Sequence, residues 1–239
     1  VFVDDIDTDP RWLVIAEALE LRDLDRASST LDELAAQIGE RHPRILHERA
    51  LVAWEREGPE SAIAVLDQLL RDEPTNADAH YMRAIACESA DDREGMIIHF
   101  LETLRLDTLA DADQDHRFHE QDLDLIEASA EQVMAQIPEE FREHLRNVPI
   151  VLEPRPHPEV VREGFDPRAL GLFEGLEQGR LAAGEPSQAP TRIVLFYANL
   201  LADAPDDETL FDEIEITLLH EIGHFFGLDE DDVERLGLE

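Results

Sequence analysis

Lysine is missing altogether: all 20 basic residues are Arg, and they stand against 57 acidic ones. The resulting net charge of -37 argues against nucleic acid or an anionic membrane as a partner, since both would repel the chain. It suits a solvated acidic surface, cationic peptides or a salty cytoplasm instead. Cysteine is almost missing too. Cys87 is the only one, so there is no disulfide framework and no cysteine zinc site, and its place after Ala84, Ile85 and Ala86 reads as a small core residue. No stretch has the length of an apolar membrane span, and Val1 to Pro10 has neither the basic nor the apolar region of a signal peptide, so the expected location is the cytoplasm.

The chain is 239 residues long, which suits one large or two ordinary domains, and a change of pattern favours two. From Arg11 to about Asp107 the apolar spacing is helical and it repeats. Ala27, Leu31 and Leu34 recur 35 residues on as Ala62, Leu66 and Leu69, and these recur 34 residues further as Met96, Phe100 and Thr103. A small residue at a close helix crossing, followed by larger ones three or four positions on, lets helix pairs pack and stack. The segment resembles tetratricopeptide repeats, with two copies between His42 and Asp107 and a degenerate one before them. Arg49 and Arg83 depart from that family's pattern, standing where it usually has an apolar residue. The resemblance implies a concave face for a peptide or partner protein, and the alternative is a purely structural helical cap.

The acid-rich segment 108–122 reads as a linker. Beyond it, Leu123 to Ile137 has the spacing of an amphipathic helix, and Pro138 ends it and begins another over Glu139 to Arg146. Short strands are expected within Asn147 to Glu153 and Leu170 to Leu176, a surface loop over Gly179 to Pro190, and the best strand over Arg192 to Asn199. A helix from near Thr209 to about Phe226 then carries His220-Glu221-x-x-His224.

That spacing sets two imidazoles one helical turn apart with a carboxylate beside the first. At 100° per residue, Phe211, Ile214, Leu218, Ile222 and Phe225 share one face and the two histidines lie nearly opposite. His220 and His224 are thus expected to hold a zinc ion that acidifies a bound water, and Glu221 to take the water's proton and pass it to a leaving amine. A third protein ligand is required. Gly227 can take positive φ and turn the chain back, and the residue three beyond it is Glu230. Asp229 and Asp231 are alternatives, and the acidic cluster also reads as the cap and first turn of a last helix, Asp229 to Leu236.

From Leu125 onward the chain resembles a bacterial family of minimal zincin-like metallopeptidases. The residues that carry the resemblance are His220 to Leu228, Asn147-Val148 before a strand, Gly171-Leu172-Phe173-Glu174-Gly175, and Arg192-Ile193. It implies zinc, a metzincin-like arrangement without a recognisable Met-turn, and peptidase activity. In zincins, the strand before the metal helix commonly forms the edge against which an extended substrate lies, and Arg192 to Asn199 is placed for that role or for that of a core strand.

The expected fold class is α+β, mainly α, with α-hairpin repeats over 1–107, an acidic linker over 108–122 and a small zincin-like domain over 123–239. The expected function is that of a zinc metallopeptidase acting on a peptide or protein substrate, with the repeats available to a partner protein. The competing reading is a non-catalytic adaptor whose metal site is structural or idle.

Overall fold

The computed structural model of the chain describes residues 8–113, 118–176, 178 and 191–235. The architecture is α+β and mainly α, as the sequence implies, with one three-stranded sheet and many helices among the described residues. It divides into two compact units, Val1–Asp107 with Val161–Gly164, and Thr108–Val160 with Phe165–Glu239. None of the described helices is long and apolar enough to cross a membrane.

In the first unit the helices are α1 (Arg11–Glu20), α2 (Leu24–Ile38), α3 (Pro43–Glu57), α4 (Pro59–Asp72), α5 (Ala77–Ser89) and the beginning of α6 (Arg93–Asp113). Local chemistry starts them: Asp23 and Asn76 accept backbone N–H groups at the N-termini of α2 and α5, and Pro43 and Pro59 open α3 and α4. All nine residues of the three recurring triads, from Ala27 to Thr103, are buried.

Arg49 and Arg83 have a structural use. Arg49 of α3 pairs with Asp32 of α2 at 2.9 Å, and Arg83 of α5 pairs with Asp67 of α4 at 2.6 Å. The same type of cross-helix ion pair therefore recurs with the triads. Such partly exposed pairs contribute about 0–1 kcal/mol each, whereas each fully buried Leu contributes about 1.5–3 kcal/mol. Packing of the triads holds the hairpins, and the ion pairs bias which helix faces meet.

The second unit contains the end of α6, then α7 (Glu120–Gln136), α8 (Glu139–Leu145), β1 (Ile150–Glu153), β2 (Gly171–Glu174), β3 (Arg192–Phe196), α10 (Tyr197–Asp203), α11 (Asp207–Phe225) and α12 (Glu230–Arg235), while the short α9 (Pro158–Arg162) crosses from one unit to the other. The acidic segment 108–122 is helical through Asp113 and again from Glu120. Its Asp111 meets Arg155 through two hydrogen bonds of 2.5 and 3.0 Å. The expected loop over Gly179–Pro190 lies outside the described residues.

The sheet has the order β1-β3-β2, with β1 parallel and β2 antiparallel to β3. Of the two roles open to Arg192–Asn199, substrate edge or core strand, the first is corrected and the second is what the sheet order gives. β3 is the central strand, hydrogen-bonded on both sides, and it ends at Phe196, where α10 begins. The physical reason lies in its uninterrupted Ile-Val-Leu-Phe run, all four buried, which is the pattern of a strand covered on both faces. The strand at the edge nearest the histidine helix is the four-residue β2, which packs against α11. Ile193 and Leu195 of β3 join Ile126, Ala130 and Val133 of α7 and Leu210, Ile214, Leu218, Ile222 and Phe225 of α11 in one core.

Candidate metal centre

The helix that carries the two histidines is well bounded. Asp206 caps it, accepting from the Thr209 N–H at 2.9 Å, and Asp207 and Glu208 favour the positive end of its dipole. At the other end Gly227 has φ +85°, the left-handed conformation that a side chain would strain. The Gly227 N–H donates to the His224 carbonyl and the Leu228 N–H to the Gly223 carbonyl, each at 3.0 Å, which is the bonding of a Schellman turn.

This turn places the Leu228 carbonyl 3.1 Å from Nδ1 of His224. A carbonyl only accepts, so Nδ1 carries the proton and Nε2 of the neutral ring keeps its lone pair. That Nε2 faces Nε2 of His220 at 2.9 Å, with the rings 4.6 Å apart in an edge-to-face arrangement. Both rings are half-buried. One turn of helix and one glycine-dependent reversal of the chain thus aim two imidazole nitrogens at a common point.

Glu221 is directed differently from its neighbours. It is 7% exposed, and its Oε2 accepts the Phe173 N–H of β2 at 2.6 Å. The Phe196 N–H donates to the Leu170 carbonyl, so hydrogen-bonded pairs between β2 and β3 fall at Leu170, Leu172 and Glu174, and the N–H of Phe173 points to the edge of β2 away from β3. Glu221 reaches that edge from beneath the strand. The helix face directed inward is accordingly wider than the apolar stripe in the sequence, because Thr217 and Glu221 are buried as well as Leu218 and Ile222.

Gly171 allows this close approach. A Cβ on it would stand 2.5 Å from Cγ2 of Thr217 and 3.2 Å from Cγ of Glu221. Gly171→Ala is therefore expected to push β2 off α11 and destabilise the protein by about 1–3 kcal/mol, measured by chemical denaturation. Adding Thr217→Ser, which removes the clashing methyl, is expected to recover part of the loss.

On another side of α11 lies an apolar groove of about 510 Å³, lined among others by Ile137, Phe141, Leu219, Gly223 and Phe226. Phe141 at its margin is 44% exposed.

The structure brings His220, His224 and Glu221 onto neighbouring faces of one helix. Glu230 opens α12, and its side chain lies outside the described residues. Asp229 caps this last helix, with Oδ1 accepting the Asp232 N–H at 2.9 Å, and Asp231 is exposed. Among the described residues no group of three or more His, Cys, Asp and Glu side chains converges. The two histidines fit a zinc ion as two of its ligands: nitrogens on one tetrahedral zinc, about 2.05 Å from it, stand about 3.3 Å apart, so the observed pair has to open by only a few tenths of an ångström.

Two contributors to this site were not assigned from the sequence, the Phe173 N–H and the Leu228 carbonyl. Both are backbone groups, which residue identity does not mark. The available signal was Gly171, a small residue in a strand, which often means a close approach by another element.

A family profile described as zincin-like metallopeptidase matches residues 145–238, which takes in β1, β2, β3 and the whole of α11. No curated protein matches the chain.

Proposed function

We propose that the protein is a zinc-dependent peptidase in which His220, His224 and Glu230 hold the metal and Glu221 is the general base. The observation that carries this reading is the convergence of Nε2 of His220 and His224 beside a buried carboxylate one residue along the same helix. The profile match over residues 145–238, which includes His220, Glu221 and His224, also supports it.

Zinc at this position would supply an acidified water and a polarised carbonyl. The chain does the rest. His224 is kept in the required tautomer by the Leu228 carbonyl, and the buried position of Glu221 limits competition from bulk water. A carboxylate oxygen of Glu221 accepts a proton from the attacking water and returns it to the leaving amine. Glu230 is preferred as third ligand because Asp229 is already engaged as a helix cap and Glu230 has the expected spacing from Gly227. The groove beside Leu219 and Phe226 offers room for an apolar side chain of the substrate. The helical hairpins of the first unit are proposed to bind the substrate or a partner protein.

The test is cleavage of a mixed peptide library by the zinc-loaded protein and its Glu221→Gln form. Cleavage by the parent alone supports the proposal. Zinc binding without cleavage by either form would favour a non-catalytic adaptor.

A further inference from the structure

Asn199 lies on α10, outside the histidine helix, and is 4% exposed. Its side chain is fully directed. Nδ2 donates to the Pro167 carbonyl at 3.0 Å and to the Ala169 carbonyl at 2.7 Å, while Oδ1 accepts from Nη1 of Arg155 at 2.6 Å. Arg155 is in turn held by Asp111. The two carbonyls belong to the segment leading directly into β2, and the next residue, Leu170, makes the first bond of the ladder to β3.

β2 has only four residues, too few to fix its own register strongly. Side chains and outward N–H groups alternate with a period of two along a strand, so a slip of one residue would turn the Phe173 N–H toward β3 and away from Glu221. The anchoring of Pro167 and Ala169 opposes such a slip. We propose that Asn199 is a positioning residue, which sets the register of β2 and so keeps the Phe173 N–H on the Glu221 carboxylate. Its effect on turnover rests on the peptidase reading above; its effect on the strand does not.

Two variants of the full chain separate these levels. Asn199→Asp keeps an acceptor for Arg155 and loses both donors to the carbonyls, and Asn199→Ala loses the donors without adding charge. Amide hydrogen exchange followed by NMR reads the strand. In the parent, the Phe173 amide is expected to exchange slowly. In either folded variant it is expected to exchange about tenfold faster or more, while the Ile193 amide, bonded to the Pro149 carbonyl on the other side of β3, keeps its parent rate. If the parent hydrolyses peptides, kcat in the variants is expected to fall about tenfold to a hundredfold, with KM and zinc content unchanged.

An unchanged Phe173 rate in the variants would overturn the proposal. So would equal acceleration at Phe173 and Ile193, which marks general loosening of the sheet, or faster Phe173 exchange with unchanged kcat. Absence of hydrolysis by the parent would count against the peptidase reading alone, because the exchange result is read without it.

Discussion

Replacing Glu221 by Gln is expected to lower peptide hydrolysis about 100-fold to 10,000-fold, the range that a positioned general base contributes. The substitution conserves volume, and the amide oxygen can still accept the Phe173 N–H that now meets Oε2 at 2.6 Å. Folding and metal content should therefore stay close to those of the parent, and the loss should fall on kcat. Initial rates on a cleaved library peptide, with circular dichroism and elemental analysis on the same samples, measure all three. Activity within a factor of about three of the parent would show that another group takes the proton.

The second large effect is expected outside the histidine helix. Asp111→Ala should destabilise the protein by about 3–5 kcal/mol, because it removes one partner of a buried ion pair. The side chains of Arg155 and Asp111 are only 8% and 13% exposed, and two hydrogen bonds join them, so solvent cannot readily replace the lost carboxylate. Exposed pairs such as Arg22–Glu55 should contribute far less when broken. A double variant, Asp111→Leu with Arg155→Met, removes both charges and is expected to recover only part of the stability, since apolar packing can replace a buried pair while Oδ1 of the buried Asn199 loses its donor. Denaturant titration of the single and double variants decides. A single variant within about 1 kcal/mol of the parent would mean that water reaches the pair.

These two expectations mark what a reader of the sequence can and cannot see. The convergence of His220 and His224 is legible because helical periodicity converts spacing directly into direction. The recurring triads of the first unit are legible for the same reason, and all are buried. Gly227 is legible because few other residues tolerate the positive φ that ends this helix. Asp111 is not, since it stands among many acidic residues and its partner lies 44 positions away. The central place of β3 was hinted at by its continuous apolar run, but strand order depends on pairing between distant segments. Asn199 was read as the end of a strand, and only the path of the chain around β2 gives it two carbonyls to hold.

The polar side of the site also follows from tertiary packing. The sequence places Glu221 beside the first histidine, while its burial comes from β2 lying across α11, which Gly171 permits. A short strand, a glycine and one asparagine thus determine where the carboxylate is held.

The most direct test of the account is the zinc content of the purified protein, of His224→Ala and of Glu221→Gln, measured by elemental analysis after dialysis. About one zinc per chain is expected in the parent and in Glu221→Gln, and little in His224→Ala, because a tetrahedral site needs both imidazoles and can do without the base. Equal zinc in all three forms would contradict the assignment of the metal to His220 and His224.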